Sequence, residues 1–320
     1  MSIELVVIGL GNHTKSKIIP ALQSLSIPIR AIISEIDLTR YEDIEVFNSI
    51  SSIRDSDTIT HFIISTTPSK QIKYIKAALL MNIKAFVEKP AFTSEEDLLS
   101  VHSFLKDRLF LTEGMMYRFC ESYKYFYANF SKIKDSNYEL SINFILPNKS
   151  NIINDTFRSK VDIKNSIVYD IGPYVFDLMW ALQILNFQIY IIKIEKFTNN
   201  IFKRLRFLLV SDENSSININ VNIGYDNCYK NEINLVSNNH NLTLYPFFWG
   251  RSGEINVRET RGRNIISKKI ETKNALVEIL LGWLNNSKDK NYLDLQNLKR
   301  YKFVTYQLVN LEREINKNVK

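Results

Sequence analysis

Two hydrophobic patterns divide the chain. Up to about residue 118, short continuous apolar runs alternate with segments in which apolar residues recur every three or four positions. Continuous runs are typical of strands buried on both faces of a parallel sheet, and the recurring spacing is typical of amphipathic helices. This part therefore predicts an α/β domain with a doubly wound parallel sheet, whose strands are IELVVIGL, IPIRAIIS, THFIIST, IKAFVEKP and RLFLTEG.

From about residue 119, apolar positions alternate with polar ones, which is typical of an antiparallel sheet with one solvated face. The predicted strands are YELSINFIL, FQIYIIKIEKF, RLRFLLVS, SININVNI, NEINLVS, LTLYPFF and EINVRE. We expect an α+β domain with an open, largely antiparallel sheet, helices on one face and a C-terminal amphipathic helix over about 292–317. The predicted domains are residues 1–118 and residues 119–320.

One helical segment of the second part, YDIGPYVFDLMWAL at residues 169–182, carries an unusual set of polar side chains. At helical spacing, Asp170, Tyr174 and Asp177 share a face beside an apolar stripe. Taken alone, this pattern indicates only an amphipathic helix with an acid in its first turn and a half-buried tyrosine.

The composition narrows the class of protein. A chain of 320 residues with 45% hydrophobic and 23% charged residues can bury a full core and is long for one domain. Two distant cysteines and four scattered histidines indicate neither a disulfide framework nor a metal site. Because the N-terminus lacks a basic segment followed by a long apolar run, we expect a soluble, cytoplasmic protein that has no membrane partner.

The net charge of +7 is unevenly distributed. Residues 1–118 carry 13 basic against 14 acidic side chains, whereas residues 119–320 carry 28 against 20. A basic half could bind an anionic small molecule or nucleic acid, although a solvated face is the ordinary explanation. Since aromatic residues are not interleaved with a compact basic run, we expect no nucleic-acid partner.

The first predicted strand ends in a glycine turn. Gly9 and Gly11 lie where the strand must turn into the first helix, and the third position of the Gly-x-Gly fingerprint is Thr14. Such a turn lets the backbone approach a pyrophosphate, and the helix N-terminus offers unpaired N–H groups. The pattern therefore favours dinucleotide binding, with a plain tight turn as the alternative.

The end of the second strand should meet the adenosine ribose of such a cofactor. An acid there accepts hydrogen bonds from both ribose hydroxyls and repels a 2′-phosphate. If Glu35 points into the site, NAD is favoured; if Ser34 does so and Glu35 turns outward, NADP stays open. The sequence favours NAD slightly.

The segment AFVEKPAF places Glu88, Lys89 and Pro90 at the carboxyl end of a predicted parallel strand. Ligands of doubly wound sheets bind at that edge, where an ammonium can hydrogen-bond a substrate hydroxyl or a cofactor ribose. A surface lysine in a loop is the alternative interpretation.

Together, GLGNHT, STTPSKQIKYIKAALLMNIKAFVEKP, EGMMYRF and DIGPYVFD resemble the glucose-fructose oxidoreductase, inositol dehydrogenase and MocA family. The resemblance covers the first 118 residues almost continuously and extends to about Leu182. It implies a Rossmann domain that binds NAD or NADP, followed by a sheet domain that lines the substrate site and often makes the oligomer contact. The usual reaction is hydride transfer to or from a carbon of a sugar, inositol or related polyol.

The resemblance also implies the site residues. Lys89, Asp170 and Tyr174 match the catalytic positions, and Tyr174 stands where most members have histidine, as in a subset that includes glucose-fructose oxidoreductase and some keto-sugar reductases. The implied substrate residues are Tyr117, Arg118, Arg158 and Tyr174. The implied cofactor residues are Gly9, Gly11, Asn12, His13, Thr14, Ser34, Glu35, Thr66, Thr67, Pro68, Gln71, Glu88 and Lys89.

The sequence departs from the family pattern at three places. The glycine run that often precedes the motif aspartate is replaced by DIKNSIVY, Gln71 stands where histidine is common, and Phe119-Cys120-Glu121 follows MYR. The first and the third alter the surroundings of the substrate pocket, so they bear on which substrate is bound more than on the fold.

The sequence thus predicts an NAD(P)-dependent sugar oxidoreductase. We expect Tyr174 to act as the acid/base, Lys89 to bind the substrate and favour release of the Tyr174 proton, and Asp170 to orient them. The basic second half favours a nucleotide-linked keto sugar, as in sugar or surface-polysaccharide biosynthesis; a free sugar or cyclic polyol is the alternative substrate. A cofactor-sensing regulator and an imine or tetrapyrrole reductase are the competing functions. The expected assembly is a homodimer or homotetramer formed through the C-terminal sheet.

Overall fold

The computed structural model describes residues 3–36, 38–105, 110–133, 137–147, 164, 166–196, 202–212 and 217–318. The chain forms two compact units: Met1–Met115 with Leu276–Lys302, and Met116–Ala275 with Phe303–Lys320. Contacts therefore group residues 276–302 with the first unit. The division of the chain into domains at residue 118 stays a prediction.

The first unit contains a seven-stranded sheet. Its strands are β1 (Leu5–Ile8), β2 (Ile29–Ile33), β3 (Arg40–Tyr41), β4 (Ile44–Phe47), β5 (His61–Ile64), β6 (Lys84–Val87) and β7 (Leu111–Glu113). The order is β3-β4-β2-β1-β5-β6-β7, and every pair is parallel except β3 with β4. Five of these strands lie within the predicted apolar runs, and the predicted doubly wound parallel sheet is confirmed.

Helices connect these strands. They are a π-helical turn (Thr14–Ile18) that continues into α1 (Ile19–Ser24), then α2 (Pro68–Leu80) and α3 (Glu95–Leu105). The buried faces of α2 and α3 pack on the sheet with strand residues such as Val6, Phe62 and Val87, which are fully buried. The carboxyl ends of β1, β5 and β6 therefore lie along one edge of a well-packed sheet.

The second unit contains an eight-stranded sheet. Its strands are β8 (Tyr138–Pro147), β9 (Phe187–Lys196), β10 (Phe202–Ser211), β11 (Asn218–Asp226), β12 (Lys230–Ser237), β13 (His240–Tyr245), β14 (Gly253–Arg261) and β15 (Asn264–Thr272). The order is β15-β14-β13-β12-β8-β11-β10-β9, and only β8 with β11 is parallel among these pairs. The predicted open, largely antiparallel sheet is confirmed.

Side chains alternate between the two faces of this sheet as the sequence predicted. Leu140, Ile142 and Phe144 of β8 are buried, and polar residues lie between them. Helices cover the buried face, for example where Phe126 and Phe176 contact aromatic rings of that unit. The helices of this stretch are α4 (Glu121–Phe130), α5 (Ile167–Asp170) and α6 (Gly172–Ala181). The chain then forms α7 (Ala275–Leu284), α8 (Lys290–Asp294) and α9 (Leu298–Asn318), of which residues 276–302 group with the first unit.

Two predicted helices have different bounds in the structure. The segment of residues 169–182 is divided between α5 and α6 at Ile171, two residues before Pro173, whose ring nitrogen has no hydrogen to donate. The C-terminal helix begins at Leu298 rather than at Tyr292, because Asp289 caps a separate short helix, α8, by accepting the N–H groups of Asn291 and Tyr292. Within the described ranges, we find no helix with the length and apolar character needed to cross a membrane.

Candidate functional site

The glycine turn at the end of β1 requires glycine at its first position. Gly9 has φ +101°, and a Cβ atom there would lie 2.3 Å from the carbonyl oxygen of Ser65. The Gly9 N–H donates to the carbonyl of Ile33 at 2.8 Å, so the turn is fixed against the end of β2 as well. Only glycine combines this backbone angle with so close an approach.

Gly11 and Thr14 complete the turn in different ways. A Cβ atom on Gly11 would meet nothing within 4 Å, so the backbone there borders open space. Thr14 is fully buried, and its hydroxyl donates to the carbonyl of Gly9 at 2.8 Å and to Ser65 Oγ at 3.1 Å. These residues fit a dinucleotide, because the open backbone at Gly11 precedes a helix N-terminus. The hydrogen bonds of Thr14 hold the turn in place.

The acid predicted to meet the ribose lies at the end of β2. Ser34 is buried, its N–H donates to the carbonyl of Phe47 at 2.8 Å, and its hydroxyl accepts the N–H of Ile36 at 3.2 Å. Glu35 is exposed and forms an ion pair with Lys70 of α2. The Glu35 carboxylate therefore already has a cationic partner. Which of the two residues would face the ribose stays a prediction.

The segment that follows β5 brings four more predicted cofactor residues together. Thr66 and Thr67 are half-buried, Pro68 begins α2, and the Lys70 N–H donates to the carbonyl of Thr67 at 2.9 Å. Gln71 is fully buried, and its side-chain oxygen has no hydrogen-bond partner in the described structure. The roles of these residues toward a cofactor stay predictions.

His13 and Glu88 join the glycine turn to the end of β6. His13 Nε2 lies 3.1 Å from Glu88 Oε1. Burial alone would lower the pKa of His13, but the charge and hydrogen bond of Glu88 raise it above its ordinary value. Burial also opposes ionisation of Glu88, yet the charge and hydrogen bond of His13, followed by the charge of Lys89, hold the pKa of that carboxyl below its ordinary value. Each side chain therefore favours the charged form of the other.

We expect this pair to make stability depend on pH. Below about pH 6.5 the imidazole is protonated in both folded and unfolded chains, so the stabilisation is fully present, and it is lost as pH rises through the raised pKa of His13. His13→Gln should therefore reduce the fall in unfolding free energy above pH 6.5. Urea titrations at several pH values measure this, and an unchanged profile for His13→Gln would contradict the assignment.

A buried ion pair holds the loop after Lys89. The N–H of Ala91 donates to Glu113 Oε1 at 2.7 Å, and Arg300 Nη1 of α9 lies 2.6 Å from Glu113 Oε2. Both charged side chains are almost completely buried. This pair was not predicted from the sequence, since Arg300 lies far along the chain in a helix with no recognisable motif. Lys89 itself is half-buried at the carboxyl end of β6.

The predicted aspartate of the second unit has a tyrosine partner. The Tyr225 hydroxyl of β11 donates to Asp170 Oδ2 at 2.9 Å, and both residues are buried. The sequence contained a signal for Tyr225, because it continues the buried face of Ile219, Val221 and Ile223 and a buried phenol needs a partner. Asp170 is therefore oriented from β11 as well as by α5.

Tyr174 lies in an aromatic cluster with Tyr117, Phe144 and Phe248. Its ring centroid is 5.9 Å from that of Tyr117, 5.4 Å from that of Phe144 and 5.5 Å from that of Phe248. The backbone of Phe248 is fixed by buried Asn231, which accepts its N–H at 2.7 Å and donates to its carbonyl at 2.9 Å. These contacts hold the half-buried Tyr174 ring in place.

The third polar residue of the predicted helix face, Asp177, is fully buried. It accepts hydrogen bonds from Arg118 Nε at 2.7 Å, Arg118 Nη2 at 3.1 Å and the Tyr117 hydroxyl at 2.6 Å. Burial, and then the charge of Asp177, raises the pKa of Tyr117 well above its ordinary value, so this phenol keeps its proton. Substrate roles for Tyr117 and Arg118 stay predictions, and Arg158 lies outside the described residues.

Metal ligands do not cluster in the part of the chain that the structure describes. No group of three or more His, Cys, Asp or Glu side chains there could hold a metal ion. The described side chains offer proton transfer and hydrogen bonding, and dinucleotide binding at the glycine turn stays a prediction.

Comparison with solved structures shows what the fold resembles. KijD10, a 3-ketoreductase from Actinomadura kijaniata in complex with NADP and TDP-benzene, has a TM-score of 0.77 at 14% identity, covering 95% of this chain and 96% of its own. The UDP-N-acetylglucosamine 3-dehydrogenase GnnA from Acidithiobacillus ferrooxidans has a TM-score of 0.73 at 11% identity, covering 98% of each chain. The dehydrogenase MviM from Clostridium difficile has a TM-score of 0.67 at 16% identity, covering 97% and 99%.

These similarities extend over nearly the whole chain and confirm the fold that the family resemblance implies. No protein-family model and no curated protein matches the sequence.

Proposed function

We propose that this protein is a nicotinamide-dependent oxidoreductase of the glucose-fructose oxidoreductase, inositol dehydrogenase and MocA family that acts on a sugar. The glycine turn carries the proposal, because Gly9 is fixed against Ser65 while Gly11 borders open space at the start of a helix. The fold supports it, since KijD10 has the same fold and was solved with NADP. A regulator that only senses the cofactor would need the turn but not Lys89, Asp170 and Tyr174.

The proposed reaction transfers a hydride to or from a carbonyl or hydroxyl carbon of the sugar. A bound nicotinamide supplies or accepts that hydride. In the reductive direction the Tyr174 hydroxyl gives its proton to the carbonyl oxygen, and the Lys89 ammonium donates a hydrogen bond to the same oxygen, which stabilises the negative charge that develops there. Asp170, which accepts from Tyr225, orients the donors. In the oxidative direction Tyr174 takes the proton back.

The proposed substrate is a nucleotide-linked keto sugar. Two similar structures support this substrate class. KijD10 was solved with TDP-benzene, and GnnA is a UDP-N-acetylglucosamine 3-dehydrogenase. The excess of basic over acidic residues after residue 118, 28 against 20, is the complementary charge for a diphosphate. A free sugar or cyclic polyol is uncharged, so this positive charge does not favour its binding.

A substrate screen tests the proposed function. Free and nucleotide-linked keto and hydroxy sugars are added with NADH, NADPH or their oxidised forms, and the absorbance of the reduced nicotinamide is followed. We expect turnover with a nucleotide-linked sugar and a large loss with Lys89→Ala. Cofactor binding without turnover on any sugar, unaffected by Lys89→Ala, would favour a sensor instead.

We expect the glycine turn to tolerate no side chain at its first position. Gly9→Ala places a Cβ atom 2.3 Å from the Ser65 oxygen at φ +101°, so the turn must shift. The expected loss of NADH or NADPH affinity is about tenfold or more, because the backbone N–H groups move away from the pyrophosphate. Fluorescence titration of the reduced cofactor measures it.

Gly262→Ala is the matched control for this prediction. Gly262 also has a positive φ, +57°, but a Cβ atom there would meet nothing within 4 Å. This variant should carry the backbone strain without weakening cofactor binding. Equal affinities of the Gly9→Ala variant and the wild type would show that the turn is not the pyrophosphate site.

We also propose a homodimer or homotetramer formed through the second sheet. Its edge strand β9 exposes Tyr190 at 50% and Ile192 at 60%, both on the face away from the buried Ile189. Exposed apolar side chains of this size favour an interface between copies of the chain. Light scattering of the purified protein tests the assembly: we expect Ile192→Lys to shift it toward the monomer, and a monomeric wild type would contradict it.

A further inference from the structure

The ion pair between Glu35 and Lys70 crosses the carboxyl end of β1. Glu35 follows β2, and Lys70 belongs to the first turn of α2, which follows β5. Since β2 and β5 pair with opposite sides of β1, these two side chains meet over the strand that ends in the glycine turn. The pair therefore lies at the edge of the place where the proposed cofactor would put its adenosine ribose.

We infer that Lys70 lets this protein accept NADP by binding the 2′-phosphate in place of the Glu35 carboxylate. The inference rests on the proposed function. An unpaired acid at the end of β2 would repel a 2′-phosphate, but here Lys70 already neutralises the acid. The side chains of Lys70 and Glu35 are 51% and 69% exposed, so the pair is weak and its opening costs little.

Two neighbouring side chains, Ser34 and Lys15, already have other contacts, which favours Lys70 as the partner of a 2′-phosphate. Ser34 is buried, and its hydroxyl is used in the local turn with Ile36. Lys15, in the π-helical turn that follows Gly11, lies over the ring of Tyr41 at 5.3 Å. With NAD bound, the Glu35 carboxylate accepts the ribose hydroxyls; with NADP bound, Lys70 turns from Glu35 to the phosphate.

Titration of NADH and NADPH into variants tests the inference. The wild type should bind both within about tenfold of each other, and Lys70→Met should weaken NADPH about tenfold or more while NADH changes less than about threefold. Glu35→Gln should weaken NADH and tighten NADPH. Lys73→Met, at an exposed lysine further along the same helix, is the matched control and should change neither affinity.

A second pair of ligands isolates the phosphate from the nicotinamide. ADP-ribose and its 2′-phosphate derivative should show the same contrast, and the contrast should shrink as salt increases because it comes from a charge pair at the surface. The inference is wrong if Lys70→Met weakens both cofactors equally or neither, if Lys15→Met alone causes the loss, or if the wild type prefers NADH more than about a hundredfold. A wild type that binds neither cofactor would instead contradict the proposed function.

Discussion

Replacing Tyr174 with phenylalanine should nearly abolish turnover while leaving the cofactor and the substrate bound. The variant loses only the hydroxyl, and the ring keeps its contacts with Tyr117, Phe144 and Phe248. General acid catalysis by a positioned side chain contributes about 10² to 10⁴ in rate, so kcat should fall by that factor with little change in KM. Steady-state kinetics on the sugar found by the screen measure both constants.

Lys89→Ala and Tyr127→Phe complete this test. Lys89→Ala removes the proposed donor to the developing charge and should cost about 10² to 10³ in kcat. Tyr127→Phe changes an exposed tyrosine of the second unit, 37% accessible, and should leave kcat and KM unchanged. Full turnover by Tyr174→Phe with normal substrate binding would show that another group moves the proton.

Replacing Asp177 with alanine should have the largest effect on stability. The carboxylate is fully buried and accepts two hydrogen bonds from Arg118 and one from Tyr117. Its removal leaves a buried guanidinium without its counter-ion, which typically costs about 3–5 kcal/mol of unfolding free energy. Urea unfolding followed by circular dichroism measures the loss.

Asp170→Asn separates the roles of the two acids. The asparagine oxygen can still accept from the Tyr225 hydroxyl, so stability should change by less than about 1.5 kcal/mol, the net worth of one hydrogen bond. Its effect should appear in kcat. If Asp177→Ala were as stable as the wild type, or Asp170→Asn were the more destabilised variant, the division into a structural and a functional acid would be wrong.

The sequence predicted the strands well because hydrophobic periodicity is a local property. Continuous apolar runs predicted β1, β2, β5, β6 and β7, and alternation predicted β8 to β14. The edge strand β15 was not predicted, since most of its side chains are exposed and form no alternating hydrophobic pattern. The helix α4 was not predicted because ESYKYFYANF mixes aromatic and polar residues, so its buried face can be identified only in the folded structure.

The candidate site was predictable where a motif lies in one short segment. GLGNHT and EKP are short contiguous motifs of the family that the sequence resembles, and Asp170 and Tyr174 lie four residues apart. Their supporting residues come from distant segments: Arg300 pairs with Glu113, and Tyr225 donates to Asp170. Such long-range pairs leave no local signal. Of the three polar residues on the predicted helix face, Asp177 pairs with the buried Arg118, which is a structural role.

Isotope transfer tests the central claim most directly. The reduced cofactor, deuterated on the transferred position of its nicotinamide, is incubated with the protein and a nucleotide-linked keto sugar, and the sugar product is analysed by mass spectrometry. The account predicts one deuterium on the carbon that bore the carbonyl, with none in the Tyr174→Phe reaction over the same time. A sugar recovered unreduced with every cofactor and substrate offered, although the cofactor binds, would contradict it.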